Sequence, residues 1–405
     1  MLDDFGQRIR DIILSEMDLS RELSDEEICD LIGSVVSREA RDRPMTIKDR
    51  AELERTIFNS LRKLDVLQEL VDDRDVTEIM VNGPNDIFYE KAGRIQRFKG
   101  HFSSEEKLED VIQQIVGRHN RVVNQASPIV DTRLSDGSRV NIVLNPISID
   151  GSAVSIRKFP EHPMSMERLV EIEALSPEVA RLLQILTQAK YNIFISGGTG
   201  SGKTTFLNAL SQYIPDDERI ITIEDSAELQ LLGAKNIVRL ETRNANTDGV
   251  TPITIRDLIR TALRMRPDRI IVGECRGAEA LDMLQAMNTG HDGSLSTGHA
   301  NSPHDIISRI ETMVLQGQDF PLNAIRQQIA SGIDIIVQLG RLRDKSRRVL
   351  EVSEVDGFMD GEIVLHTLYR FEETGVLDSG RIQGFLKKAG TLCHTDKLMA
   401  AGLSV

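Results

Sequence analysis

The sequence predicts an α/β fold with a mainly parallel sheet, preceded by a mixed α/β domain and a helical bundle. Three observations predict this order. Apolar residues recur at helical spacing up to about residue 70, and they alternate with polar residues from about residue 76. Beyond about residue 173, short apolar strands alternate with segments of helical character. The 405 residues are enough for two or three domains, each with its own core.

Residues 1–70 are predicted to form the helical bundle. Ser24 and Glu27 have the spacing of a capping box, and they precede an apolar stripe that includes Ile28 and Ile32. Residues 1–75 contain 12 Lys and Arg against 20 Asp and Glu, a formal charge of −8. This charge is explained either by a solvated acidic surface or by a docking surface for a basic partner.

Residues 71–160 are predicted to form the mixed α/β domain. The segments TEIMVN and DIFYEK alternate in polarity, and the turn sequence SDGS separates IVDTRL from RVNIVL, which is typical of a β-hairpin. Two prolines in FPEHPMSMERL then predict a linker at residues 161–172. The last domain, 173–375, contains the strands NIFIS, RIITIE, NIVRLE, RIIVGE and IDIIVQLG, with helices expected between them. Residues 376–405 form a tail with only weak patterning.

A phosphate-binding motif follows the first of these strands. The residues GGTGSGKT, 197–204, fit G-x-x-x-x-G-K-[ST] and lead into a helix-forming run. Such a loop wraps phosphates with backbone N–H groups, Lys203 contacts the β- and γ-phosphates, and the Thr204 hydroxyl binds Mg²⁺. The sequence therefore predicts binding of ATP with Mg²⁺. The expected nucleotide-binding residues are Gly198, Thr199, Gly200, Ser201, Gly202, Lys203, Thr204 and Thr205.

Acidic residues lie where two other strands end. Glu224 and Asp225 close RIITIED, and Glu274 closes RIIVGE. Because the carboxyl ends of parallel strands share one edge of a sheet, these acids should converge on the phosphate-binding loop. The alternative is that Asp225 or Glu274 caps the helix that follows it.

Two histidines occur in the segment GHDGSLSTGHAN. His291 and His299 are eight positions apart, a spacing that places both on one face if the whole segment is an extended strand. Their position downstream of Glu274, among small residues, favours a sensor of the γ-phosphate over core histidines. A metal site is less well supported because the segment lacks further ligands.

In their order along the chain, GGTGSGKT, ITIEDSAEL, RMRPDRIIVGECRG and AMNTGHDGSLSTGHANS resemble the Walker A, Asp, Walker B and His boxes of type II and type IV secretion ATPases. The resemblance covers about residues 71–355. Within that group, NTGHDGSLSTGHANSP and DTRLSDGSRVNIVLNP are most similar to the CpaF class of Tad (Flp) pilus ATPases. The resemblance implies a RecA-like P-loop core after a PAS-like α/β domain, assembled into a homohexamer.

The resemblance also implies roles for single residues. Glu224 corresponds to the water-activating acid, and Glu274 to the Walker B acid that holds Mg²⁺ through water; which one takes the proton is left open. His299, and His291 with it, correspond to the γ-phosphate sensors. The arginines that the N-terminal domain supplies to nucleotide correspond to Arg139 and Arg157, with Arg133 a weaker candidate and an ordinary surface charge the alternative.

The motifs predict an ATPase, and the resemblance implies a cytoplasmic motor at the inner membrane whose ATP hydrolysis drives assembly of a Tad (Flp) type IV pilus, with retraction left open. Such a motor acts on pilus platform proteins and reaches the membrane only through these partners. A conjugation-type or type II secretion ATPase is the first alternative. A nucleic-acid motor is disfavoured because the net charge is −14, whereas binding of phosphate backbones requires clustered Lys and Arg. A scaffold that binds ATP without hydrolysis is disfavoured because both Glu224 and Glu274 are present.

Overall fold

The chain divides into two compact units in a computed structural model. The units are Met1–Glu161 and His162–Val405. The structure describes residues 4–17, 21, 23–41, 45–91, 93–117, 122–159, 163–243 and 251–405. The predicted linker, 161–172, starts outside the described residues, and its later part contains a short helix, Met166–Glu171.

The first unit begins with three helices, as the apolar spacing predicts. They are α1 (Asp4–Glu16), α2 (Asp25–Glu39) and α3 (Ile47–Arg62). Their shared core contains Ile9, Ile13, Ile28, Ile32, Val35, Val36 and Ile57. The predicted capping box is confirmed: the Glu27 N–H donates to Ser24 Oγ at 3.2 Å, and the Ser24 N–H donates to Glu27 Oε2 at 2.8 Å.

A six-stranded antiparallel sheet completes the first unit. Its strands are β1 (Val76–Asn82), β2 (Asp86–Lys91), β3 (Arg94–Arg97), β4 (Ile129–Arg133), β5 (Arg139–Val143) and β6 (Ala153–Arg157), in the order β3-β2-β1-β6-β5-β4. A 3₁₀ turn (Asp65–Leu67) and α4 (Gln68–Asp72) precede it, and the amphipathic helix α5 (Glu105–Gly117) contributes its apolar face to the same core. The predicted hairpin turn joins β4 to β5, with Gly137 at a left-handed φ of +90°.

The second unit contains a nine-stranded sheet in the order β15-β14-β13-β12-β7-β11-β10-β8-β9. The parallel strands are β7 (Ile193–Gly197), β8 (Arg219–Glu224), β9 (Asn236–Glu241), β10 (Arg269–Val272), β11 (Leu295–Gly298) and β12 (Ile335–Arg341). Three antiparallel strands extend the sheet from β12: β13 (Arg347–Met359), β14 (Glu362–Val376) and β15 (Ile382–Lys388).

Helices cover both faces of this sheet, as the buried strands require. They are α6 (Met166–Glu171), α7 (Pro177–Gln188), α8 (Lys203–Ser211), α9 (Ile255–Ala262), α10 (Glu279–Asn288), α11 (Pro303–Gly317) and α12 (Leu322–Gly332). Along β7, Ile193 and Ile195 pack into one hydrophobic core and Phe194 into the other. One expectation was wrong: residues 225–235, between β8 and β9, form a loop rather than a helix.

The C-terminal residues, which carry little sequence pattern, belong to this unit. Strand β15 pairs with β14, and a last helix, α13 (Asp396–Ala401), follows it. The Tyr191 hydroxyl donates to the His394 carbonyl at 2.6 Å, and Lys397 Nζ lies 2.6 Å from Asp334 and 2.8 Å from Asp292. Of the helices in the described part of the chain, none combines the length and the apolar character that a bilayer crossing requires.

A buried ion pair joins several segments at the amino edge of the parallel strands. Arg269, which is fully buried, donates to both carboxylate oxygens of Glu218 at 2.5 and 3.0 Å. The same guanidinium donates to the carbonyls of Thr187 and Gly293. A Cβ at Gly293 would lie 2.5 Å from this guanidinium, so only glycine fits there.

We expect Arg269→Met to lower the free energy of unfolding by about 3–5 kcal/mol, because it leaves the Glu218 carboxylate buried without its main partner. The double variant Arg269→Met/Glu218→Leu should recover much of that loss, since it removes the unpaired charge as well. Denaturant unfolding followed by circular dichroism measures both. A double variant as unstable as the single one would show that packing, and not the charge, sets the cost.

Candidate active site

The phosphate-binding loop lies at the carboxyl edge of the parallel strands. It connects β7 to α8, which begins at Lys203. Gly200 and Gly202 have φ values of +70° and +95°, in the left-handed region that glycine adopts without strain. The amino end of α8 therefore opens directly onto the loop, where its unpaired N–H groups favour an anion.

The Lys203 ammonium is folded back onto this loop. Lys203 is 7% exposed, and its Nζ donates to the carbonyls of Gly197 at 3.0 Å and Gly198 at 3.1 Å. Nζ also lies 3.2 Å from Nδ1 of His299, which follows the neighbouring strand β11. Burial lowers the pKa of this ammonium, and the nearby carboxylate of Glu274 opposes the effect. The loop thus holds a desolvated cation beside the position where a phosphate would bind.

Beyond His299 the contacts continue to the carboxylates at the ends of the other strands. His299 Nε2 lies 2.6 Å from Glu274 Oε1, and Glu274 Oε2 accepts a hydrogen bond of 2.6 Å from Arg276. Arg276 in turn lies 3.9 Å from Asp225. Burial raises the pKa of Asp225, and Arg276 acts against this. One chain of polar contacts therefore runs along the sheet edge, through Lys203, His299, Glu274, Arg276 and Asp225.

Glu224 is held separately, by backbone groups. Its Oε2 accepts hydrogen bonds from the N–H groups of Glu228 at 2.7 Å and Leu229 at 3.0 Å, and the residue is only 4% exposed. A Cβ on Gly273 would lie 2.8 Å from Cγ of Glu224, so the absence of a side chain there makes room for this carboxylate. The site therefore contains one acid linked to cations, Glu274, and one fixed by amides, Glu224.

His291 is not part of this site, contrary to the expectation from its spacing. Strand β11 covers only Leu295–Gly298, and residues 291–294 form a turn in which Gly293 has a φ of +82°. His291 thus precedes the amino end of a strand that runs parallel to β7, at the sheet edge opposite Lys203. Its Nδ1 lies 3.3 Å from the Ala286 carbonyl. This position does not support contact between His291 and a phosphate on the loop of the same chain.

The predicted arginines lie in the first unit, on three adjacent strands. Arg133 is directly opposite Arg139, and Arg139 is directly opposite Arg157. Like charges directly opposite each other destabilise a sheet, and Glu78 of β1, directly opposite Arg157, supplies a negative charge at one end of the row. Arg139 Nη2 lies 3.6 Å from Asp131. A role of these arginines in binding phosphate stays a prediction.

The loop also has a contact that the sequence did not indicate. Arg347, the first residue of β13, donates from Nε to the Gly200 carbonyl at 2.9 Å. Arg347 is 144 positions after Lys203 and belongs to no phosphate-binding motif. Only the pairing of β13 with β12, and of β12 with β7, brings it to the loop.

The residues present fit a nucleotide with a divalent cation. The glycine loop and the helix N-terminus suit a polyphosphate. The groups available to a cation are oxygens of Thr204, Glu274 and Asp225, which is the donor type that Mg²⁺ prefers. These residues would hold Mg²⁺ that enters with ATP, and the ion would supply charge neutralisation at the phosphates.

The pKa of His299 provides a test of this geometry. Burial lowers it below the ordinary 6.5, while the Glu274 carboxylate opposes the shift. In the protein without nucleotide or metal, we expect the His299 ring to titrate below pH 6.5 by NMR, and Glu274→Gln to move its midpoint lower still. His394 serves as an internal reference, because contacts with Asp356 raise its pKa above 6.5. A midpoint that rises in Glu274→Gln would contradict the contact.

Comparison with known proteins places the chain in a family. The family described as type II/IV secretion system protein matches residues 60–381. A putative conjugal transfer protein of Mycobacterium tuberculosis is 32% identical over 322 residues, which are 77% of this chain and 91% of that protein. The type IV secretion system protein PtlH of Bordetella pertussis is 33% identical over 320 residues, 73% of this chain and 94% of its own.

Solved structures support the fold. The pilus retraction motor PilT with bound ADP matches with a TM-score of 0.55 at 22% identity, covering 82% of this chain and 84% of that one. At this identity the match shows the shared α/β fold, a RecA-like core with a preceding α/β domain. The predicted fold class is therefore confirmed, and the chain belongs to the type II/IV secretion system protein family and is an ATPase.

Proposed function

We propose that this chain is the motor ATPase of a conjugation-type type IV secretion system, which works as a homohexameric ring at the cytoplasmic face of the inner membrane. The observation that carries the proposal is the chain of contacts from Lys203 through His299 to Glu274 at the loop edge. Two relatives named for conjugal transfer and type IV secretion align over more than 90% of their own lengths, which supports the choice of system.

In the proposed site, the loop residues Gly198–Thr205 wrap the phosphates of ATP. Lys203 gives up its bonds to the loop carbonyls and turns to the β- and γ-phosphates, which offer a charged acceptor in place of neutral ones. Thr204 and, through water, Glu274 hold Mg²⁺. His299 then lies between the γ-phosphate and Glu274, so it responds to whether the terminal phosphate is present.

Hydrolysis needs a water molecule aligned with the γ-phosphate. We assign that alignment to Glu224, whose carboxylate is already fixed by two backbone N–H groups and so loses little freedom when it acts. Glu274 is the weaker candidate for the base, because it lies against His299 and Arg276. Replacing each by Gln would separate the two roles by their effects on turnover and on nucleotide affinity.

The row of arginines on the first unit is the proposed source of further positive charge. Arg139 and Arg157 would act in trans, on the nucleotide of a neighbouring subunit. An arginine supplied across an interface contributes about 10³–10⁵ to the rate in other phosphoryl-transfer enzymes. In this arrangement, hydrolysis would depend on contact between neighbouring subunits.

A second candidate is the motor of a Tad (Flp) pilus, and one observation favours it. The family match begins at residue 60, so most of the bundle α1–α3 lies outside the shared region. The conjugation-type relatives align over 73% and 77% of this chain although more than 90% of each is covered. About a quarter of this chain is therefore not aligned with either relative, and the bundle lies outside the family match. The chain's partners would then be pilus platform proteins of the inner membrane.

In both cases the partners are membrane proteins and not nucleic acid. The net charge of −14 disfavours binding along a phosphate backbone. Association with the membrane would be peripheral and would depend on those partners.

We expect Lys203→Ala to abolish ATP hydrolysis and to weaken ATP binding, because it removes the only charged side chain of the loop. In cells that carry this variant, transport should stop. Plasmid transfer or protein export reports the secretion system, and electron microscopy of surface pili reports the pilus alternative. The control is Arg370→Ala, which changes an exposed arginine paired with Glu351.

Turnover of Lys203→Ala at the wild-type rate would overturn the proposed site. Loss of surface pili with plasmid transfer and export intact would favour the second candidate. Loss of transfer or export with pili intact would support the first.

Mixing of subunits tests the role in trans. The variants Lys203→Ala and Arg139→Ala/Arg157→Ala should each be nearly inactive alone. In rings assembled at random from equal amounts, about one interface in four joins an intact loop to intact arginines, so part of the ATPase activity should return.

Mixed rings that stay as inactive as either parent would contradict independent action in trans. Mixing itself is verified with two affinity tags. A linked ring with one intact interface then distinguishes action in cis from a need for every site to work together.

A further inference from the structure

A cavity of about 800 Å³ opens beside the phosphate-binding loop within the second unit. One side is formed by Ser201, Gly202 and Thr205, at the start of α8. Part of its wall is apolar, formed by Met164, Leu169, Phe206 and Val349, and the rest carries charged side chains that include Asp344 and Arg348. Pockets of 300–1,000 Å³ with apolar walls and a few polar groups are typical of small-ligand sites. The cavity is thus large enough for a nucleoside whose phosphates lie on the loop.

Arg347 lies at the boundary between this cavity and the loop. It lines the cavity, its Nε donates to the Gly200 carbonyl, and its Cδ would be 3.5 Å from a Cβ placed on Gly202. Within the described part of the chain, its two terminal nitrogens make no hydrogen bond or ion pair. The side chain is exposed. A charged group is therefore fixed next to the loop with donors directed to no protein acceptor.

Two neighbouring arginines differ in this respect. Arg348 donates to the Glu173 and Ile382 carbonyls, and Arg381 lies 3.0 Å from the Glu173 carboxylate. The Asp344 carboxylate accepts from Ser346 and from the Ile382 N–H. Those groups are engaged in holding β13 and β15 in place. Of these three arginines, Arg347 is the one that contacts the phosphate-binding loop and has terminal donors left for a ligand. Lys345 lines the cavity as well.

We propose that Arg347 binds the nucleotide in cis, with its terminal nitrogens on a phosphate oxygen at the mouth of this cavity. The inference rests on the proposed placement of ATP at the loop containing Lys203. Bound ATP and ADP share this contact, so it contributes equally to the ground state and the transition state. Arg347 thus sets affinity, whereas the groups around Glu274 set turnover.

The experiment compares Arg347→Ala, Arg347→Gln and Arg347→Lys with the control Arg370→Ala in the full-length protein. The Kd for ADP is measured by isothermal titration calorimetry, and steady-state kinetics give KM and kcat for ATP. Gln keeps a donor for the Gly200 carbonyl but has no charge, which separates a phosphate contact from a brace for the loop. Melting temperatures verify that each variant is folded.

We expect Kd for ADP and KM for ATP to rise about tenfold in the Ala and Gln variants, with kcat within about twofold of wild type. Lys should recover part of the affinity, and Arg370→Ala should behave as wild type. Normal affinity in Arg347→Gln overturns the proposal, because the arginine then serves only as a brace.

Lys203→Ala, measured in the same way, distinguishes failure of the Arg347 proposal from failure of the proposed nucleotide site. Weak ADP binding in Lys203→Ala with normal binding in all Arg347 variants overturns this inference alone. Normal binding in both would mean that the nucleotide does not lie on this loop, and it would overturn the proposed site as well. If Arg347→Ala does not fold, the Gln and Lys variants decide the question.

Discussion

The parallel pairing of β7, β11, β10 and β8 is the constraint on which the site depends. Because these strands run in the same direction, whatever follows each of them emerges at one edge of the sheet. Pairing of Gly298 with Ser196 brings His299 beside Lys203, and pairing of Val272 with Ile223 brings Glu274 beside the loop after β8. Side chains up to 96 positions apart in sequence therefore meet within hydrogen-bond distance.

The chemistry at this edge follows from desolvation. The buried ammonium of Lys203 donates hydrogen bonds to two carbonyls of its own loop. His299 lies between Lys203 and the Glu274 carboxylate and contacts both. In the proposed function, Lys203 exchanges these partners for the phosphates of ATP while it stays buried. The opposite edge is organised differently, around the buried ion pair of Arg269 and Glu218. The carboxyl edge thus contains the proposed nucleotide site, whereas the ion pair at the amino edge stabilises the fold.

Strand ends and a glycine motif predict that Lys203, Glu274 and His299 lie at one edge of the sheet, and the structure brings them together there. The prediction for His291 was wrong because it assumed one continuous strand from His291 to His299. A turn at Gly293 interrupts that strand, and it packs against the Arg269 guanidinium, a long-range contact that the local sequence does not show. Arg347 carries no local signal, since its contact depends on two strand pairings. Strand β15 was missed because an edge strand with one solvated face has weak hydrophobic patterning.

The position of β7 has a consequence for synthesis of the chain. Both neighbours of this central strand come later: β11 ends at residue 298 and β12 at residue 341. During translation, the strand before the phosphate-binding loop therefore has no hydrogen-bonded neighbour until about a hundred more residues have been made. The first unit, by contrast, has all its strands by residue 157. A ribosome-bound intermediate at this stage would contain a complete first unit and an apolar strand without its neighbours, and exposed strands of this kind are prone to aggregation.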